Sequence, residues 1–154
     1  MPKAALRLHV AEPKADYGHR PPLVIDASVM AAALFVEVTS SEAAALLFGR
    51  ALHAPHLLDH EIASVAVKKL RRKEASHETV ASALRGYGEL PIERHAVDVE
   101  HVVKVAERCG LTSYDAAYLS LAQRLGAPLA TLDGKLAAAA RAYLTAESQI
   151  RERD

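Results

Sequence analysis

Apolar residues along the chain keep two rhythms, short continuous runs and helical stripes, and their alternation predicts the elements. Leu23 to Asp26, entered through Pro21-Pro22, reads as a short buried strand. Ser28 to Val36 is apolar nearly all round, which predicts a buried helix, and Thr39-Ser40-Ser41-Glu42 has the capping-box spacing that starts a second helix through Phe48. An extended piece at Leu52-His53-Ala54 precedes Pro55, and a third helix follows from Leu57 to Lys73. Ser76 caps a fourth, with the stripe Val80, Ala83, Leu84 and Tyr87; Pro91 to His95 is a candidate strand. Asp98 caps a fifth helix striped by Val99, Val102, Val103 and Ala106 and ended by Gly110. Thr112 or Ser113 starts a sixth that runs to Leu125 and stops at Gly126; Pro128 to Leu132 is a strand, and a seventh helix begins after Asp133. Short apolar strands separated by helices predict an α/β fold whose parallel sheet is covered on both faces.

At 154 residues this is one domain with a real core, and no tract repeats. Nineteen basic residues balance nineteen acidic ones, so net charge makes no case for nucleic acid and any such case rests on local clustering. The one cysteine, Cys109, has no internal disulfide partner, which fits a reducing compartment, and it extends the stripe of the fifth helix as a small core residue. No apolar stretch reaches the roughly 18 residues of a membrane span. Residues 1–20 have neither a long apolar centre nor a clear cleavage site, so they read as a loosely ordered extension rather than a signal peptide, and the expected location is cytoplasmic. The expected domain is 21–145, followed by a polar tail at 146–154.

Four carboxylates break the apolar pattern. Asp26 closes the first strand, Asp133 follows the last, and Glu61 and Asp115 fall in or at the edge of helical stripes. An unpaired buried carboxylate costs several kcal/mol, so four such placements point to a cation, and an all-oxygen donor set points to Mg²⁺ or Mn²⁺. Each acid also has a purely structural reading. Asp26 and Asp133 suit helix N-caps, Thr112-Ser113-Tyr114-Asp115 is close to a capping box, and Glu61 can reach water or pair with Lys68 or Lys69.

The segments LVIDASVMAAAL, HEIASV and LTSYDAAYLSLAQRLGAPLATLDGKLAAAA resemble the PIN-domain ribonucleases, most closely their VapC-like toxin branch, over Leu23 to Tyr143. The resemblance implies a three-layer α/β/α sandwich with a short-stranded, mostly parallel sheet. It implies that Asp26, Glu61, Asp115 and Asp133 form an acidic quartet for Mg²⁺ or Mn²⁺, with Ser28 and Thr131 as small hydroxyl residues beside the first and fourth acids. It further implies RNA cleavage to 5′-phosphate and 3′-hydroxyl ends, a homodimer, and inhibition by a cognate antitoxin. The chain departs from the family pattern twice: the N-terminal extension has no counterpart, and LTAESQIRERD stands after Tyr143 where a last apolar strand is usual.

Other features compete for attention. His53, His56 and His60 beside Asp59 and Glu61 suggest zinc, but HLLDHE is not HExxH and Pro55 keeps His53 off the helix. Lys68, Lys69, Arg71, Arg72 and Lys73 form the basic cluster, readable as a solvated helix end complementing the dipole or as a contact for RNA phosphates. Two other functions stay open. A Mg²⁺-dependent phosphatase of the haloacid-dehalogenase type wants Asp-x-Asp, whereas residue 28 is serine. A receiver-like metal-binding signalling domain wants a partner lysine after a strand, for which Lys135 is the candidate.

Overall fold

The computed structural model describes residues 9–11, 20–35 and 40–151. The expected Val36 end of the first helix and Thr39 of the capping sequence lie outside them. In chain order the elements are β1 (His9–Ala11), β2 (Pro22–Ile25), α1 (Ala27–Leu34), α2 (Ser40–Leu47), β3 (Ala51–Pro55), α3 (Leu57–Arg71) and α4 (His77–Glu89). Then come β4 (Ile92–His95), α5 (Val99–Cys109), α6 (Ser113–Leu125), β5 (Leu129–Thr131) and α7 (Gly134–Arg151).

The five strands form one sheet in the order β1-β5-β2-β3-β4. β2, β3, β4 and β5 are parallel, and β1 runs antiparallel to β5. Successive strand residues point to opposite faces, yet Leu23, Val24 and Ile25 are all 0% exposed, so helices seal the sheet on both sides. α6 packs on β2, β3 and β5 with α5 beside it, while α1 gathers α2, α3 and α4, completing the α/β/α sandwich. Strand order reverses between β2 and β5. In open α/β sheets that reversal leaves a crevice outside the strand ends, and Asp26 and Asp133 follow the two strands that flank it.

Expected helix punctuation is present in several places. Asp26, Ser76, Asp98 and Thr112 are N-caps whose side chains accept backbone N–H bonds, and Gly110 and Gly126 end α5 and α6 with φ near +60°, at 62° and 59°. α3 ends without glycine: Lys73 takes the left-handed conformation at φ 55°, and Lys73 and Glu74 donate N–H bonds to Leu70 and Lys69 carbonyls.

The structure corrects the expected pattern at three points. In α5 the buried residues are Val102 and Val105, whereas Val99 and Val103 are 70% and 52% exposed. That helix packs chiefly on α6, so only a narrow strip of it is covered. Leu84, expected in the α4 stripe, is also exposed, while Val80 and Tyr87 are buried. The third point concerns the two ends. His9–Ala11, expected to be loose, pairs with β5 in the register His9↔Thr131, Val10↔Ala130, Ala11↔Leu129. The expected tail is helical as far as Arg151. Ala, Glu, Gln and Arg after Tyr143 are good helix formers, so the chain extends α7 instead of supplying a last strand. The β5 edge left open is closed from the N-terminal side.

One polar cluster fastens β4 to the helices. Asp59 Oδ1 accepts from Tyr87 Oη at 2.5 Å and from Arg94 Nη2 at 2.9 Å, and the Arg94 guanidinium lies 5.2 Å from the Tyr87 ring centroid. Partial burial pulls the Asp59 carboxyl up, but the Arg94 and Tyr87 hydrogen bonds outweigh it and hold the carboxyl below its ordinary value. Its contribution to stability is therefore present above the unfolded carboxylate pKa and lost as pH falls through the lower folded one. Asp59→Asn is expected to cost about 1 kcal/mol or less at neutral pH, since the pair is half-exposed. Urea melts of both proteins should converge as pH drops below the ordinary carboxylate range. Deleting residues 1–12 tests β1: the bared β5 edge is expected to lower stability by about 1–3 kcal/mol and to promote self-association, read by urea melts and size-exclusion chromatography.

Candidate active site

Asp26 sits at the carboxyl end of the central strand and is 6% exposed. As the N-cap of α1 it accepts, through Oδ1, the Val29 N–H at 3.1 Å and the Ser28 hydroxyl at 2.5 Å. Its Oδ2 accepts the hydroxyl of fully buried Thr131 at 2.5 Å. Burial raises the Asp26 carboxyl above its ordinary value, and the bonds from Ser28, Thr131 and the backbone only partly offset it. Both hydroxyl oxygens accept in turn: Ser28 Oγ takes the Leu132 N–H at 2.9 Å and Thr131 Oγ1 the Asp133 N–H at 3.0 Å. The two small hydroxyl residues thus tie the β5–α7 junction to Asp26.

Glu61 projects from α3 and is half-buried; its Oε2 accepts from the Tyr118 hydroxyl of α6 at 2.6 Å. Burial raises its carboxyl, the Tyr118 bond opposes that, and the negative charges of Asp26 and Asp115 push it up further. Asp26 and Asp115 are therefore near enough for their charges to act on Glu61. Asp115 stands in the first turn of α6, where Thr112 Oγ1 accepts its N–H at 3.1 Å and donates to its Oδ2 at 2.9 Å. Asp133 is exposed and caps α7, with Oδ1 accepting the Leu136 N–H at 2.8 Å.

Three of the four acids therefore do what the structural reading asked of them, and they do it around one crevice. The starts of α1, α6 and α7 each place a carboxylate there, and each start carries positive dipole that tempers the repulsion among them. Among the described residues, no three of the acids bring ligand oxygens within 4.8 Å of one another. A small hard cation that keeps several of its waters suits such a ring better than one that needs a tight protein cage.

A groove of about 440 Å³ adjoins Asp133 and Ser28 and is lined further by Val65, Lys68, Lys69, Arg72 and Glu74, the last 4.0 Å from Lys69 and 3.9 Å from Arg72. Glu61, Val65 and Lys68 with Lys69 occupy successive turns of one face of α3, and its C-cap Arg72 continues that face, so a single helix presents an acid and, beyond it, a basic lane. Lys69 is anchored, 5.3 Å from the Phe35 ring centroid and 4.0 Å from Glu74; Arg71 and Lys73 do not line the groove.

Tyr118 is the site residue that sequence reasoning passed over. It is 2% exposed and bonded to Glu61, and its phenol is driven far above its ordinary pKa by burial and by that carboxylate. The available signal was a tyrosine three residues after Asp115 in an otherwise aliphatic stripe, since a buried phenol needs a polar partner. The histidines separate: His53 lies on β3, while His56 and His60 flank and enter α3 as exposed residues.

A PIN domain family profile matches residues 23–142. The chain belongs to the PIN-domain family. Among curated relatives, a VapC ribonuclease of Mycobacterium bovis is 34% identical over 116 residues, covering 74% of this chain and 87% of that protein. Ribonuclease VapC3 of Pyrobaculum aerophilum is 35% identical over 121 residues, covering 75% and 92%. The crystal structure of PAE2754 from Pyrobaculum aerophilum superposes with a TM-score of 0.59 at 20% identity, over 84% of this chain and 90% of that one, and shares the fold.

Removing the Tyr118 hydroxyl deprives a partly buried carboxylate of its donor. Tyr118→Phe is expected to destabilise this PIN domain by about 1–2 kcal/mol at neutral pH, measured by urea melts. In a Glu61→Gln background the same change is expected to cost less, because the acceptor is no longer charged.

Proposed function

We propose that this protein is a metal-dependent endoribonuclease and the toxin of a type II toxin–antitoxin pair, with Asp26, Glu61, Asp115 and Asp133 holding Mg²⁺ or Mn²⁺. The observation that carries the reading is the 34% and 35% identity to VapC ribonucleases over 74% and 75% of the chain, beside which burial and, less, the like charges of Asp26 and Asp115 raise the Glu61 carboxyl. A divalent ion relieves that repulsion, and carboxylate oxygens are its preferred donors. The relatives' names support the substrate: they are ribonucleases.

Bound there, the ion supplies Lewis acidity and an activated water for in-line displacement at a phosphodiester. The chain's own residues do the rest. Ser28 and Thr131 fix the Asp26 carboxylate between two hydroxyl donors, so its orientation is set before substrate arrives. Asp26 and Asp115 would be the principal ligands, and Glu61 and Asp133 would complete the donor set or orient the attacking water. Tyr118 keeps Glu61 turned toward the ring. The groove along α3 carries the RNA backbone: from Glu61 to Arg72 the helix rises roughly 16 Å, room for a few nucleotides with Lys68, Lys69 and Arg72 beside their phosphates.

Pairing of two copies, a cytoplasmic site of action and a cognate antitoxin belong to the same proposal; a cationic antitoxin side chain placed among the acids would compete with the metal. Among the described residues no helix is long and apolar enough to cross a membrane. The phosphatase reading loses ground because Ser28 spends its hydroxyl on Asp26 and its oxygen on Leu132.

The test is cleavage of mixed RNA by the purified protein. Activity is expected to vanish in EDTA and to return with Mn²⁺ or Mg²⁺, and cleavage that survives exhaustive chelation refutes the mechanism. For the groove, Lys68→Ala with Arg72→Ala is expected to raise KM while leaving kcat nearly unchanged. The dependence of log affinity on log salt should flatten by about 1.4, the single-strand value for two lost phosphate contacts.

A further inference from the structure

Away from the acidic ring, at the β4 edge of the sheet, the parallel pairing of β3 with β4 sets His53 opposite Glu93. His95 lies two residues beyond Glu93, so its side chain leaves the same face. His53 Nδ1 and His95 Nε2 are 2.9 Å apart; Glu93 Oε2 lies 3.7 Å from the first and Glu93 Oε1 3.6 Å from the second. Among the described residues, this trio alone brings three ligand atoms of histidine, cysteine or carboxylate within 4.8 Å of one another. The two imidazoles are mostly buried, at 14% and 15% exposed, whereas Glu93 is open to solvent at 67%. One carboxylate oxygen and the two facing nitrogens thus lie within 4.8 Å of one another, close enough for a small turn of the exposed Glu93 side chain to bring all three to the roughly 2 Å bond lengths zinc makes to nitrogen and oxygen.

We propose that His53, Glu93 and His95 form a second metal site, selective for a transition ion of the zinc class and separate from the acidic ring. Two imidazoles and a carboxylate suit Zn²⁺, Ni²⁺ or Co²⁺, whereas the all-oxygen ring suits Mg²⁺ and Mn²⁺, so the protein sorts two kinds of ion by donor chemistry. Without the ion, the facing nitrogens share one hydrogen bond. The tautomers carrying their protons on His53 Nε2 and His95 Nδ1 turn both facing lone pairs to the ion, with no net loss of a proton. Glu93 closes from the solvent side, and a water completes a tetrahedral shell. Because the ligands come from two neighbouring strands, the ion staples edge strand β4 to β3.

The probe is Zn²⁺ alone, titrated calorimetrically into the protein in saturating Mg²⁺. One Zn²⁺ per chain is expected, with a rise in thermal midpoint. Glu93→Gln and His95→Gln should each weaken binding at least tenfold and remove most of the rise. Glu61→Gln should leave both readouts unchanged. Glu93 is exposed, so its variant tests the site even if His95→Gln fails to fold. Zinc affinity indifferent to Glu93→Gln, affinity lost in Glu61→Gln, or no stoichiometric zinc binding overturns the proposal. None of these outcomes depends on ribonuclease activity.

Discussion

The rest of the molecule is arranged around one unfavourable placement, the carboxylate of Asp26 buried at the end of the central strand. Alone it would cost several kcal/mol. The fold compensates with three donors, the Val29 N–H and two hydroxyls, one from Ser28 in α1 and one from Thr131 in β5. Because one of those donors comes from β5, the arrangement also fixes how β5 docks against β2 and where α7 starts. A charge that destabilises the core thus locks together the elements forming the crevice.

The same economy explains why the acids were hard to interpret singly. A helix N-terminus attracts a carboxylate for structural reasons, and each of the four parallel strands is followed by a helix that starts at this end of the sheet. Asp26, Asp115 and Asp133 satisfy caps or first-turn contacts, so the capping and site readings of these residues are not rivals. What separates this crevice from ordinary capping is the convergence of those helix starts, together with Glu61, which caps nothing.

Much of this was legible in the sequence. Strand and helix order, the caps at Ser76, Asp98 and Thr112, and the glycine stops at Gly110 and Gly126 follow from local chemistry, and local chemistry is what a sequence displays. The failures are all relational. Val99 and Val103 obey the helical period but face away because α5 has few neighbours to cover it. His9–Ala11 is too short to announce a strand without knowledge of the edge it fills. The His53–His95 contact spans 42 residues and depends on strand register, which spacing alone does not reveal.

The strand drawn from the N-terminal segment has a consequence for the order in which the molecule is built. β1 is made before the other described strands, yet among the described residues its partner in the sheet is β5, among the last parts of the domain to be made. β2, β3 and β4 can associate while translation continues, but β1 must wait, and so must Asp26, whose Thr131 partner lies 105 residues downstream. Closing so long a loop is entropically slow, and sheets dominated by distant pairings fold late. The acidic crevice therefore acquires its second wall only when the sheet is complete, and a nascent chain carries its central carboxylate without the structure that gives it purpose.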